Sequence, residues 1–357
     1  MPRKTVLVVG AGASNEAGMP TGHTLKGRIS QLLNIRFDSG GFRRISGDEH
    51  IYEAIRLHVQ QVGLPPQEIN SHLYACWHII DAMPQAISID NFIHSQEGDA
   101  RIVLCGKLAI VRAILEAEKG SLLKIRDGGA REQPDLKAVE NTWFVKFVQL
   151  LTKDCTRQAL RERLSQITFI VFNYDRCIEH FLFNALRSTY NLQDKEAAEL
   201  LSHIEIFHPY GSVGPLPWQQ PRDAVQFGAG VHAQSLLALS KDINTFAEGT
   251  NSDDSEIEAI HQRIAEAETF VYLGFAYHDQ NIKLLTPGRP LPEVIVPADY
   301  FGTAMGISDH DRKIICDDLI GMLAVGSKSM QIDLDTSCAA LFDRYNRGFS
   351  RSFWTRS

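Results

Sequence analysis

The sequence predicts an α/β fold in which a parallel sheet is flanked by helices and interrupted by a large helical insertion. Three observations carry this prediction. Residues 4–9 form a β-branched, apolar run that is hydrophobic on both faces and ends at Gly10, as a strand buried on both sides would. Beyond the following loop, Leu25, Ile29, Leu32 and Leu33 recur at i, i+4, i+7 and i+8, which is one face of a helix. Three later segments, "QITFIVFNYD", "HIEIFHPYGS" and "ETFVYLGFAYHD", each carry an apolar β-rich run into a polar or glycine-bearing end.

Between these strand signals, from about residue 45 to 164, strand candidates are few and amphipathic runs dominate. They are "DEHIYEAIRLHVQQ", "PPQEINSHLYACWHIIDAM", "ARIVLCGKLAIVRAILEAEKG" and "NTWFVKFVQLLTKDCTRQALRERL", with "RDGGAREQPD" as an intervening loop. After the third strand signal, "EVIVPADY" reads as a further strand and "DHDRKIICDDLIGML" as a late helix. "AEGTNSDDSE", residues 247–256, has the composition of a flexible loop. The expected organisation is a discontinuous Rossmann-like domain of residues 1–44 and 165–330, a helical insertion of residues 45–164 and a C-terminal extension of residues 331–357.

Composition narrows the function classes. With 357 residues, 44% hydrophobic and 22% charged, the chain has the make-up of an ordinary globular protein. No window of about 18 residues is continuously apolar, and "MPRKTVLVVG" reaches its glycine before a signal-peptide core could form, so a cytoplasmic protein without a membrane span is expected. A net charge of -7 gives no general attraction to nucleic acid, although "FRRIS" is locally basic. The cysteines at 76, 105, 155, 177, 316 and 338 form no Cys-x-x-Cys pair, which removes a zinc ribbon and favours buried free thiols.

The loop after the first strand, "GAGASNEAGMP", fits no standard nucleotide template. A dinucleotide fingerprint is met at Gly10 and Gly12 but has Asn15 at its third glycine, and no acidic residue follows at the ribose-binding spacing. A phosphate-binding P-loop fails because no Lys follows Gly18. What remains is the pattern of Gly10, Ala11, Gly12, Ser14, Gly18 and Pro20. Small residues there would let backbone N–H groups approach a pyrophosphate, and Ser14 could cap a short helical turn facing the same anion. The alternative is a glycine turn that binds nothing.

With its companions in the same order, the pattern resembles the sirtuin superfamily, especially a bacterial sirtuin-like branch associated with phage defence. Gly-Ala-Gly-x-Ser-x-x-x-Gly-x-Pro is matched by residues 10–20, Asn-x-Asp by Asn173 and Asp175, the histidine–glycine stretch by "IFHPYGSVG", and the late glycine–aromatic segment by Gly274 and Phe275 in "YLGFAYHDQ". The resemblance covers residues 4–35 and roughly 165–285, and leaves the insertion and the C-terminal part unassigned. Gly10, Asn173, His208 and Gly274 each lie at or just beyond a predicted strand end, where ligands of open parallel sheets collect.

The resemblance implies cleavage of the nicotinamide–ribose bond of NAD as substrate, with no metal. It gives Gly10, Ala11, Gly12, Ser14, Gly18, Pro20, Asn173, Gly211, Gly274 and Phe275 to dinucleotide binding, and Asn173, Asp175 and His208 to catalysis. Asn173 would hold water or a ribose hydroxyl, Asp175 would orient the site or stabilise developing positive charge, and His208 would move the proton. Tyr210 stands where the family's catalytic histidine directly precedes glycine, with His208 two residues earlier. The zinc-holding cysteine pairs of protein deacylases are missing, which favours NAD hydrolysis over deacylation. Homo-oligomerisation and activation by a partner, a HerA-type ATPase being the family precedent, complete the expectation. A non-catalytic module that senses NAD or ADP-ribose is the alternative from a different class.

Other constellations are weaker. His72 and His78, six apart, do not share a helical face. "GASNE" fails the Gly-x-Ser-x-Gly nucleophile elbow at its last position. His278 and Asp279 could touch a dinucleotide, though Asp279 equally suits a helix start.

Overall fold

The apolar runs become the inner strands of one sheet because only a position covered on both sides can hide them. The computed structural model describes residues 4–40, 43–125, 134–245, 248, 255–287, 297–323 and 327–353. Six parallel strands, β1 (Thr5–Val9), β4 (Ile167–Val171), β5 (Glu205–Phe207), β6 (Thr269–Leu273), β7 (Asp299–Ala304) and β8 (Ser329–Leu334), lie in the order β5-β4-β1-β6-β7-β8. Every residue of β1, β4, β6 and β7 is buried, so both faces of the sheet centre are covered. The other two strands, β2 (Arg36–Phe37) and β3 (Arg44–Ser46), form a small antiparallel pair. The chain runs from β1 outward through β4 and β5, then returns to β6 on the other side of β1 and continues outward. The strand order therefore reverses between β1 and β6, as in the Rossmann arrangement.

Helices follow the sequence periodicity closely. After the short turns α1 (Ala11–Ser14) and the 3-10 turn Asn15–Ala17 come α2 (Gly22–Leu33), α3 (Glu49–Val62), α4 (Glu68–Ala82), α5 (Ile89–Ser95) and α6 (Ala100–Gly120). Leu25, Ile29, Leu32 and Leu33 of α2 are all buried. Helices α3 to α6 pack on one another and on α2. The side chains of Asp48, Ser88 and Asp99 accept backbone N–H groups at the starts of α3, α5 and α6, which satisfies donors that a helix start otherwise leaves unpaired.

The expected long run at 141–164 divides into α7 (Trp143–Thr152) and α8 (Arg157–Leu164), the second capped by Thr156. Helix α7 belongs to the sheet's helical cover: Phe147 meets Phe169 of β4 at 5.4 Å between ring centroids, and Trp143 stacks on Phe342 at 6.2 Å; α8 packs on α7 and α10. Then follow α9 (Cys177–Tyr190), α10 (Asp194–Leu201), α11 (Ala233–Leu239), α12 (Ser255–Glu266), α13 (Asp279–Leu285), α14 (Asp309–Leu323) and α15 (Cys338–Phe353). Strand β8 carries the sheet past residue 330, and α15 packs against α7, so residues 331–353 of the segment read as an extension are built into the sheet and its cover, with 354–357 outside the described residues. The strand expected at "EVIVPADY" begins at Asp299, with residues 293–296 outside the described residues, as are most of the two expected loops at 126–135 and 247–256. All six cysteines are free thiols, with Cys155 and Cys316 only partly buried. Among the described residues no helix is long and apolar enough to cross a membrane.

Candidate functional site

The ends of β1, β4 and β6 meet in one place, and the glycines there are demanded by backbone proximity. A Cβ on Gly10 would lie 2.5 Å from the Gly274 carbonyl oxygen, and one on Gly274 would lie 2.1 Å from the Ala13 nitrogen. Gly274 also has φ of +54°, in the left-handed region that glycine enters most easily. The N–H groups of Gly10, Gly12 and Ala13 donate to Leu273, Gly274 and Gly10 carbonyls at 2.9, 3.1 and 3.0 Å. In this structure those amides are used inside the fold, where the sequence reading gave them to a pyrophosphate. Ala11, Gly12 and Gly274 remain partly exposed at the rim.

Ser14 does not cap a helix. It lies in helical backbone at the end of α1, and its hydroxyl is already engaged on both sides. Asn173 Nδ2 donates to Ser14 Oγ at 3.0 Å and to the Gly10 carbonyl at 3.1 Å, while Ser14 Oγ donates to Asp175 Oδ1 at 3.0 Å. Asp175 Oδ1 also accepts the Cys177 N–H at 3.1 Å, which ties the network to the start of α9. All three side chains are buried, and burial pushes the Asp175 carboxyl above its ordinary range despite the Cys177 and Ser14 donors. Because the Gly10 carbonyl can only accept, the amide of Asn173 must face it with nitrogen. Asn173 Oδ1 then points elsewhere, buried and without a hydrogen-bond partner.

His208, just past β5, joins this cluster through the backbone. Its Nδ1 lies 3.1 Å from the Asn173 carbonyl oxygen and its Nε2 lies 2.7 Å from Glu179 Oε1. Burial disfavours the charged ring, but the Glu179 carboxylate outweighs it and holds His208 above its ordinary value; Glu179, despite its own burial, is held below by the same pairing. The pair is an imidazolium and a carboxylate with both ring nitrogens donating. Glu179 Oε2 is buried with no partner.

The other predicted residues take different places. Gly211, at φ +75°, packs so closely that a Cβ would lie 1.7 Å from the Asp242 carbonyl oxygen, and the residue forms a bridge with Ile243. Tyr210 is buried and donates to Asn281 Oδ1 at 2.8 Å. Phe275 is buried against Phe172 at 5.1 Å. Gly18 ends the 3-10 turn at φ +87°, and Pro20 precedes Thr21, the cap of α2. His278 and Asp279 are exposed at the start of α13. His72 is buried, with Nδ1 2.7 Å from the Glu68 carbonyl oxygen.

Four participants escaped the sequence reading. Glu179 lies one helical turn beyond Asp175, a spacing that could have flagged it. Arg176 is fully buried and pairs with Glu118 of α6, its Nε 3.0 Å from Oε1, while also donating to the Gly214 carbonyl at 3.1 Å. Asp90 of α5 accepts a hydrogen bond from the Tyr174 phenol. Nothing in the sequence marks Asp90, because its helix is only seven residues long and far from the strand end.

Among the described residues no group of three His, Cys, Asp or Glu side chains is placed to hold a metal ion. No family model matches the chain, and no curated protein matches its sequence.

Proposed function

We propose that the chain is a sirtuin-like NAD glycohydrolase, a cytoplasmic enzyme that releases nicotinamide from NAD in anti-phage defence. The observation that carries this reading is the buried Ser14–Asn173–Asp175 network at the sheet crest, with Asn173 Oδ1 left as an unpartnered acceptor. A buried acceptor of this kind is costly unless something donates to it, and a ribose hydroxyl or an attacking water is a suitable donor. Cleavage of the glycosidic bond builds positive charge on the ribose, so a carboxylate beside the network would favour the transition state over the ground state. Asn173 would hold the donor, Ser14 would fix Asn173, and Asp175 would supply the negative charge in its ionised form. The network lies beyond the carboxyl ends of β1 and β4, next to the reversal of strand order between β1 and β6, and this supports a ligand at that edge of the sheet.

His208 would take a proton only after giving one of its own to Glu179 and turning the freed ring nitrogen away, because both ring nitrogens already donate. An idle state of this kind suits an enzyme whose unrestrained activity would drain the cell, with assembly into an oligomer or engagement of a HerA-type ATPase as the release. The same engagement of His208 favours a second reading, a module that binds NAD or ADP-ribose without cutting it. Purified chain incubated with NAD, with and without the ATPase, separates them by nicotinamide release. Cleavage that is lost in Asn173→Ala supports the enzyme; binding without cleavage under every condition supports the sensor. Cleavage surviving in both Asn173→Ala and His208→Ala removes the residue assignment.

A further inference from the structure

Residues 173–176 are gripped from two sides in strict alternation. The side chains of Asn173 and Asp175 turn to the glycine loop, where they meet Gly10 and Ser14. Those of Tyr174 and Arg176 turn to the insertion, where Tyr174 meets Asp90 of α5 and Arg176 meets Glu118 of α6. The period of two that belongs to a strand thus continues beyond Val171, the last residue of β4. Two backbone contacts hold the segment from a third direction: His208 Nδ1 on the Asn173 carbonyl at 3.1 Å, and the Val213 N–H on the Tyr174 carbonyl at 3.2 Å.

The two contacts to the insertion differ in kind. Glu118 is fully buried, takes both Nε and Nη2 of Arg176, and also accepts the Gly228 N–H at 3.1 Å. It is a fixed strut. Asp90 is only partly buried, in the first turn of a short helix held by the Ser88 cap, and its link to the segment is the Tyr174 phenol.

We infer that Asp90 and Tyr174 are positioning residues: through their hydrogen bond, the insertion sets the orientation of the Asn173 amide and the Asp175 carboxylate on the far side of the same segment. This deepens the proposed NAD cleavage and rests on it for the kinetic readout alone. Tilting a four-residue segment about its own axis moves both sets of side chains together, so a shift of α5 reaches the crest without any contact to the substrate.

The test uses the full chain with Tyr174→Phe, which keeps the ring, Asp90→Leu, which keeps the bulk but cannot accept the phenol, and the double substitution. Two quantities are followed: nicotinamide release, and amide hydrogen exchange by mass spectrometry. Each single substitution is expected to lower kcat about tenfold with KM within about twofold, since small misplacements of reacting groups are costly. Exchange at residues 173–177 should quicken about tenfold while β1 and β6 keep their protection. The double variant should match the worse single, as expected when two residues act through one bond. Unchanged kcat and exchange in both single variants would overturn the inference, as would multiplying losses in the double or a uniform rise in exchange across the sheet. Should the unsubstituted chain release no nicotinamide with or without the ATPase, the NAD reading fails by itself, and exchange at 173–177 still decides the positioning.

Discussion

Asn173 Nδ2 donates to Ser14 Oγ at 3.0 Å and to the Gly10 carbonyl at 3.1 Å, so one amide joins the end of β4 to the loop after β1. Asn173→Asp would set a carboxylate oxygen against that carbonyl, with no donor between them. We expect nicotinamide release to fall by about 10²- to 10³-fold, the usual scale for losing one preorganised donor. Ser14→Ala would leave one Asn173 donor and one Asp175 acceptor short of a partner and should cost about 1 to 3 kcal/mol in a urea unfolding series.

The glycines should not be equally replaceable. Gly274→Ala must displace the Ala13 nitrogen or the Gly12 backbone from a strained φ, and a loss above about 3 kcal/mol is expected. Gly18→Ala carries the positive φ alone, since the nearest atom to its Cβ would be Ser121 Cα at 3.9 Å, and should cost about 1 kcal/mol. Equal unfolding midpoints for the two variants would contradict the backbone contact at the crest.

Three titratable groups, His180 and Glu179 buried and His208 partly so, shape the response to pH. Burial lowers His180, which lies 3.0 Å from the Leu123 carbonyl oxygen and stacks on Phe227, from 6.5 to about 4. The unfolded chain then binds a proton that the folded chain refuses, so stability falls as pH drops from 6.5 toward 4, by about 3 kcal/mol. His208 behaves oppositely. Its folded value lies above the free one, so its contribution is whole below 6.5 and is lost as pH rises through the folded value. Glu179, held low, contributes above 4.5 and loses that contribution as pH falls through its folded value. Unfolding midpoints against pH should show the acid limb flattened in His180→Phe and the alkaline loss removed in Glu179→Gln.

The Arg176–Glu118 pair offers a contrast between breaking and replacing. Glu118→Gln leaves a fully buried guanidinium without its counter-ion and should cost about 3 to 5 kcal/mol. Replacing both residues with Met removes the two charges together and should cost less than that single change, as measured by thermal unfolding at one protein concentration.

The strand ends and the helical periodicities were legible because burial on two faces, or on one helical stripe, leaves its mark in every residue. The run "ARIVLCGKLAIVRAILEAEKG" and helix α6 share both boundaries. The meeting of Ser14, Asn173 and Asp175 could be anticipated from parallel-sheet geometry, since all three lie beyond strand ends. Partners that lie beyond no strand end could not. Glu16 accepts the N–H of Trp143 at 2.8 Å and that of Ala339 at 2.9 Å, so one carboxylate serves the N-terminal ends of α7 and α15. Nothing near Glu16 in sequence announces either helix. Asp90 and Glu118 were hidden for the same reason, and the capping role given to Ser14 failed because its hydroxyl found partners more than 150 residues away.

Strand β1 precedes the other strands of the sheet, yet Thr5 pairs with Ile167 on one side and Thr269 on the other. At a ribosomal rate of about 5 to 20 residues per second, its second neighbour emerges roughly 13 to 53 s after β1 itself. Until then the most apolar stretch of the sheet has no lasting place, and the nascent chain depends on whatever shelters exposed strands during synthesis. Because Gly10 needs Leu273 and Gly274 as neighbours, the loop at the crest takes its shape only after residue 274 has been made. The crest is therefore unfinished for as long as the chain between β1 and β6 is being made, and any chemistry there has to wait for the sheet to close.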